Sequence, residues 1–166
     1  MQKLIGMLAV CTLMVVVAHA QKPASLTPAD YEDIRALYSK YVYGYDTGDA
    51  QMVASVFARD AMLVIGGKTM GDSRDKITSG IKPRVGMNGM RHIPTNILIE
   101  PSPEGAKGMQ YLLLTSFQDG KAPSVTSGGV YNDVIVKTAE GWRFKRREVT
   151  WFSTPPAPAG AASSNP

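Results

Sequence analysis

Residues 41–65 read YVYGYDTGDAQMVASVFARDAMLVI and contain two changes of pattern that indicate the fold class. Apolar and aromatic side chains recur at helical spacing up to Tyr45, and two glycines then weaken the helix. Asp49 is suited to cap a second, short helix that runs to Phe57. From Ala61 the run AMLVI has the apolar, β-branched character of a strand. The stretch therefore predicts a helix, a short helix and a strand in close succession.

The helix that leads into this stretch is predicted to begin at Thr27. Thr27 can cap the first turn, Pro28 suits the first helical position, and Asp30 suits the positive end of the helix dipole. The residues that follow repeat at spacings of three and four, the pattern of one buried helical face. They are Tyr31, Ile34, Tyr38, Tyr41 and Tyr45. We therefore predict an amphipathic first helix whose inner face is rich in tyrosine.

Downstream of residue 65 the chain predicts one more helix and then only strands. Gly66-Gly67 indicates a hairpin turn, and a third helix is expected from Asp72 or Ser73 to about Pro83. Four strand candidates follow, separated by the predicted turns PSPEGAKG, QDGKAPS and TAEG: Arg91–Glu100, Met109–Phe117, Ser127–Lys137 and Gly141–Phe152. Helices followed by a run of strands indicate an α+β fold. We expect three N-terminal helices to wrap a curved antiparallel sheet, forming a cone-shaped barrel with a pocket.

The two ends of the chain differ in composition from residues 26–152, which we predict to be the folded domain. Residues 1–20 combine a lysine, an uncharged apolar run and the sequence AHA, the three parts of a secretory signal peptide. We predict cleavage after Ala20 and a periplasmic or secreted protein with no stable membrane association; an uncleaved anchor is the alternative. Residues 153–166 are mostly Pro, Ala, Ser and Gly, which is typical of a disordered tail.

Composition narrows the chemistry of the predicted mature chain. The single cysteine, Cys11, and one of two histidines, His19, lie in the predicted signal peptide, so His92 is the remaining histidine. Disulfides, a thiolate nucleophile and a multi-histidine zinc site are therefore not expected. The sequence contains no glycine-rich loop of the kind that binds phosphates, so we expect no cofactor. The formal charge of +4 falls to +3 without Lys3, and so small a surplus argues against a nucleic-acid partner.

Four segments of the chain, in their order and spacing, resemble the SnoaL-like group of the nuclear transport factor 2-like superfamily. They are residues 41–65, the helix predicted at 71–81, RHIPTN at 91–96 and GWRFKRREVTWF at 141–152. The resemblance spans nearly the whole domain and implies a curved sheet wrapped by three helices around an open pocket, often in a homodimer. The group includes scytalone dehydratase, isomerase-like enzymes and polyketide cyclases, together with members that have no known reaction.

The resemblance also implies a pair of site residues. In dehydratase-like members an acid after the first helix pairs with a histidine that opens a central strand, and the matching residues here are Asp46 and His92. The ordinary pKa of histidine, near 6.5, suits proton transfer, and a carboxylate on one ring nitrogen makes the other a stronger general base. From the residues alone, a solvated turn acid and a histidine bonded to backbone remain the alternatives. The second pocket histidine of the dehydratase has no counterpart.

Three further residues are candidates for ligand binding near this pair. Tyr45 adjoins Asp46 and is expected at the pocket wall, where its ring packs and its hydroxyl reaches a ligand. Asn96 is expected to share the face of His92, because side chains alternate along a strand; satisfying backbone groups is its alternative role. The resemblance places Tyr131 near a pocket amide of the dehydratase.

The last predicted strand has an apolar face that ends in charged residues. Strand alternation places four residues on one face: Trp142, Phe144, Arg146 and Glu148. The opposite face carries Arg143, Lys145 and Arg147, and we expect this second face to be solvated. On this assignment Arg146 either binds an acidic ligand or pairs with Glu148.

These expectations lead to two hypotheses on function. The first is an exported, cofactor-free enzyme that binds a small apolar or cyclic molecule and uses the Asp46 and His92 pair for dehydration, elimination or isomerisation. The second is a module of the same fold that binds a ligand without turnover or forms a homodimer through its sheet. The acid–histidine pair is necessary for the first hypothesis and optional for the second.

Overall fold

The computed structural model describes residues 25–86 and 89–152. The first helix, α1, is Pro28–Thr47 and begins with a capping box: Thr27 accepts the backbone N–H of Asp30, and Asp30 accepts that of Thr27. The helix ends at Gly48, whose φ of 84° is readily adopted by glycine. The predicted tyrosine face is buried at Tyr38, Tyr41 and Tyr45.

Two short helices and a hairpin follow α1. They are α2 (Ala50–Ser55), the strands β1 (Phe57–Ile65) and β2 (Lys68–Gly71), and α3 (Arg74–Ile81). Asp49 caps α2 by accepting the N–H of Met52 at 2.9 Å, and Ser73 caps α3. β1 begins four residues earlier than the predicted Ala61, at Phe57, because this buried ring packs against Phe144 from the sheet and Tyr41 of α1.

Four long strands complete one six-stranded sheet in the order β2-β1-β6-β5-β4-β3. They are β3 (Met90–Ser102), β4 (Gly105–Ser116), β5 (Ser124–Thr138) and β6 (Gly141–Trp151). Neighbouring strands are antiparallel except β1 and β6, which run parallel. PSPEGAKG is not all turn: pairing of Ser102 with Gly105 leaves only Pro103 and Glu104 between β3 and β4.

The α+β fold, with its helices on one side of the sheet, is confirmed. The core lies between the helices and the sheet face that they cover, which we call the inner face; it carries Leu112, Tyr131, Phe144 and Val149. The opposite, outer face leaves Met109 43%, Tyr111 47% and Leu113 38% exposed on β4.

The predictions for the two ends of the chain lie outside the described residues. Both the signal peptide at 1–20 and the tail at 153–166 therefore stay predictions. Among residues 25–86 and 89–152, no helix has the length and apolar character needed to cross a membrane.

Candidate functional site

A cavity of about 180 Å³ lies between the C-terminal half of α1 and the inner face of the sheet. We call it the inner pocket. Most of its lining is apolar or aromatic, with contributions from Tyr41, Tyr45, Leu112, Leu114, Tyr131 and Val149. Such a lining favours an apolar or cyclic ligand that is oriented by a few polar contacts.

Asp46 lies in the last turn of α1, and its side chain is only 9% exposed. One carboxylate oxygen lies 2.6 Å from Nδ1 of His92, and the other accepts the backbone N–H of His92 at 3.0 Å. An acid is unfavourable near the C-terminus of a helix dipole, and these two contacts offset that effect. Asp46 is therefore a buried partner of β3 and not a solvated residue of the turn.

His92 is presented to Asp46 by its place on an edge strand. β3 pairs only with β4, so the backbone N–H groups on its other side need partners elsewhere, and Asp46 supplies one. The same carboxylate favours the tautomer with the proton on Nδ1, which leaves Nε2 as an acceptor. The imidazole lies against Tyr45, with ring centroids 4.9 Å apart, and forms part of the inner-pocket wall.

His92 also borders a second cavity. This groove, of about 580 Å³, runs between α1 and β3 and includes Tyr38, Val42, Asp46, His92, Ile97 and Gln110 in its lining. Asp46 borders the groove and not the inner pocket, whereas His92 borders both. The carboxylate therefore lies on the groove side of the ring.

The charge state of His92 is set by two opposing effects. Burial lowers the pKa of His92 below its usual 6.5, and the hydrogen bond and charge of Asp46 oppose that shift without cancelling it. His92 is therefore neutral near pH 7. The neutral imidazole is the form that accepts a proton, so the site has the protonation state of a general base.

Three tyrosines contribute hydroxyl groups to the lining of the inner pocket: Tyr41, Tyr45 and Tyr131. Burial raises the pKa of each, so all three hydroxyls stay protonated at neutral pH and can donate hydrogen bonds. Tyr45 lies beside His92 where its place next to Asp46 predicted it, and Tyr131 lies where the family resemblance implied. The pocket thus has one neutral acceptor and three neutral donors on a largely apolar wall, and Arg84 is also part of its lining.

Residues 27–148 match the family model of the SnoaL-like domain, which is most of the chain. The chain belongs to the SnoaL-like family. It is 29% identical over 141 residues to terrestric acid biosynthesis cluster protein E of Penicillium crustosum, covering 78% of this chain and 90% of that protein. The family resemblance inferred from the sequence is confirmed.

Solved structures share the fold at low sequence identity. A nuclear transport factor 2-like protein with a cystatin-like fold from Novosphingobium aromaticivorans has a TM-score of 0.66 at 21% identity, covering 74% of this chain and 82% of its own. A protein from Catenulispora acidiphila in complex with S-DNPA has a TM-score of 0.65 at 18% identity, and the match covers 75% of this chain and 95% of that protein. Small-molecule binding therefore occurs on this fold.

Asn96 is not brought to the pocket of this SnoaL-like domain. It lies exposed in a β-bulge, with φ of 55°, where the pairing of β3 with β4 shifts between Thr95 and Leu98. The bulge resets the alternation of side chains, so Ile97 takes the groove-facing position that Asn96 was expected to hold. The predicted sharing of one face by His92 and Asn96 is wrong for this reason.

A second β-bulge changes the faces predicted for β6. Phe144 pairs with Ile135 and Arg146 with Val134, so Lys145 is the extra residue. Arg146 consequently leaves the face of Phe144, lies on the outer face and binds Glu148 at 2.9 Å. Pairing with Glu148, one of its two predicted roles, is observed, but Arg146 does not line the inner pocket.

Arg147 takes the inner position and is fully buried. Its Nε and Nη2 each bind one carboxylate oxygen of Asp133 at 2.9 Å, and the rings of Tyr41, Tyr131 and Phe144 lie 4.0–4.3 Å from its guanidinium carbon. Although burial disfavours its charge, Asp133 holds the pKa of Arg147 above its usual range. Its prediction as a solvated residue is wrong. Val149 shares the face of Arg147 by strand alternation, and its apolar side chain was the signal in the sequence that this face is buried, as the structure shows.

Residues 25–86 and 89–152 contain no cluster of three or more His, Cys, Asp or Glu side chains able to hold an ion. Of the site residues predicted from the sequence, the structure brings four together at or beside the inner pocket: Asp46, His92, Tyr45 and Tyr131.

Proposed function

We propose that this SnoaL-like protein binds a small cyclic molecule in the inner pocket and catalyses a cofactor-free dehydration, elimination or isomerisation. The observation that carries the proposal is the 2.6 Å contact between Asp46 and Nδ1 of His92 at the wall of an apolar cavity. Nε2 of His92 removes a proton from the carbon next to a carbonyl, and Asp46 stabilises the imidazolium that forms. In a dehydration the electron pair of that C–H bond forms the new C=C bond, and the β-hydroxyl leaves as water with the proton of the imidazolium. In an isomerisation the imidazolium returns the proton to the far end of the dienol, so His92 ends neutral in both cases. Tyr45 and Tyr131 donate hydrogen bonds to an oxygen of the ligand.

The test begins with turnover. A panel of cyclic β-hydroxy ketones and β,γ-unsaturated ketones, incubated with the full chain and followed by ultraviolet absorbance, reports both elimination and isomerisation. Turnover that is lost in His92→Gln supports the proposal. Binding of panel members with all of them recovered unchanged favours the alternative, a ligand-binding module without catalysis.

The pKa of His92 provides a prediction that needs no substrate. We expect NMR titration of the imidazole to give a pKa below 6.5 in the parent and a still lower one in Asp46→Asn, because the carboxylate that opposes the effect of burial is lost. The His92 signal is assigned by its absence in His92→Gln. Asp49→Asn, which alters the acid that caps α2, is the control and leaves the pKa unchanged. Equal values in the parent and Asp46→Asn would contradict the coupling.

We also propose that the protein forms a homodimer through the outer face of the sheet. Met109, Tyr111 and Leu113 of β4 form an exposed apolar row, and Leu98 of β3, paired directly with Met109, widens it and is 47% exposed. A contiguous apolar surface of this kind on a soluble fold commonly marks an interaction site.

The homodimer is tested by changing this row. We expect Tyr111→Glu to convert a dimer to a monomer in sedimentation velocity, since it buries a charge at the interface. Gln51→Glu adds the same charge on the exposed surface of α2 and leaves the dimer intact. A parent chain that sediments as a monomer at high concentration would contradict the proposal.

A further inference from the structure

Among the described residues that line the inner pocket, Arg84 is the one arginine. It lies exposed in the turn that follows α3, whereas Tyr131, Leu112 and Val149 in the same lining are buried, so Arg84 is at the mouth. Two backbone hydrogen bonds hold this turn: Arg84 N–H donates to Ile81 at 2.7 Å, and Gly86 N–H donates to Tyr45 at 2.7 Å. The second bond fixes the turn to the end of α1, beside the site.

The guanidinium of Arg84 forms no ion pair with an acidic side chain. All fourteen Asp and Glu residues of the chain lie within residues 25–86 and 89–152, and none is within ion-pair distance of Arg84. By contrast, Arg146 and Arg147 on β6 are each paired with a carboxylate. An arginine offers planar, bidentate recognition of a carboxylate, so an unpaired one at a pocket mouth is suited to an acidic group.

The other titratable groups in or beside the pocket are either neutral near pH 7 or already paired with an opposite charge. His92 is neutral near pH 7 because burial lowers its pKa, and Tyr45 and Tyr131 stay protonated. The carboxylate of Asp46 lies on the groove side of His92, and Arg147, beneath Tyr41 and Tyr131, is matched by Asp133. In the part of the chain that the structure describes, a ligand in the pocket therefore meets apolar walls, neutral donors and a single unmatched positive charge.

We infer that the ligand of the inner pocket is a cyclic molecule with one acidic group, a carboxylate or an acidic enol, which Arg84 binds at the mouth while the ring enters the apolar interior. This inference rests on the ligand-binding pocket of the proposed function. Arg84 then decides which ring compounds bind, and His92 acts on a carbon further inside. Because the charge stays at the solvent-facing end, the ligand keeps part of its hydration and needs no second cation.

The test compares two small probes of the same shape, benzoate and its neutral counterpart benzamide. Each is titrated into the full chain near neutral pH while the His92 and Trp151 signals, both from the pocket lining, are followed by NMR. We expect benzoate to bind about tenfold more tightly than benzamide, the effect of one charge-assisted contact. Arg84→Gln should remove this preference without weakening benzamide, and Arg84→Lys should retain part of it.

Arg59→Gln is the matched control, because it removes the same charge from a side chain that is 87% exposed and bonded to Glu140, outside the pocket lining. It should keep the full preference for benzoate. Equal binding of the two probes to the parent, or a preference that survives Arg84→Gln, would overturn the role of Arg84 and leave the pocket standing. Probes that shift neither signal would overturn both the role of Arg84 and the proposed pocket.

Discussion

Arg147→Ala is expected to lower the free energy of unfolding by about 3–5 kcal/mol, the usual cost of removing one partner from a buried ion pair. Both side chains of the pair are completely buried, so the substitution leaves the Asp133 carboxylate without its cation and far from water. It also opens a space among the rings of Tyr41, Tyr131 and Phe144. Domains of this size are stable by about 5–15 kcal/mol, so a loss of this size is a large part of the total.

Urea unfolding followed by tryptophan fluorescence measures this effect. Arg146→Ala is the matched control: the neighbouring residue has the same charge, is partly exposed on the outer face, and should cost no more than about 1 kcal/mol. The loss of unfolding free energy in Arg147→Lys should lie between those of Arg147→Ala and Arg146→Ala, since lysine keeps the charge but cannot form the bidentate contact. The double variant Arg147→Met with Asp133→Leu should be more stable than Arg147→Ala, because no buried charge remains. An Arg147→Ala variant as stable as Arg146→Ala would contradict the structural role of the pair.

His92→Ala is expected to reduce kcat about 10²–10⁴-fold on any substrate found in the turnover panel, the range for loss of a general acid–base group. The substitution removes the imidazole from the lining of the inner pocket, while the backbone N–H of residue 92 still reaches Asp46. We therefore expect the fold to persist, which circular dichroism checks. Asp46→Asn should also lower kcat, since the amide cannot stabilise the imidazolium; Asp49→Asn should not. Full turnover by His92→Ala would end the catalytic proposal.

The pH dependence of the rate carries a second signature of His92. A general base works in its neutral form, so kcat/KM should fall with decreasing pH only below the pKa of His92, and hence below 6.5. In Asp46→Asn the pH at which kcat/KM begins to fall should be still lower, and the value of kcat/KM at higher pH should also be smaller than in the parent. A fall that begins at the same pH in Asp46→Asn would indicate that another group controls the rate.

Part of the site was predictable because it depends on local pattern. The tyrosine spacing placed Tyr45 on the buried face of α1, and capping chemistry placed the starts of α1 and α2. The family resemblance matched Asp46 with His92, and the structure places these residues in contact. Spacing alone could not do so, because the two residues are 46 positions apart in the chain and only the packing of α1 against the edge strand brings the carboxylate to the backbone N–H.

The α+β class, the three helices and the amphipathic face of α1 follow from local pattern, because helical spacing, caps and strand runs are properties of neighbouring residues. Which arginine of β6 is buried, and that Asn96 stays in solvent, depend instead on contacts between strands. Each outcome depends on a β-bulge, whose position is set by pairing with the adjacent strand, and one extra residue reverses every face beyond it. The parallel pairing of β1 with β6 and the position of Arg84 at the pocket mouth likewise arise from contacts distant in the chain.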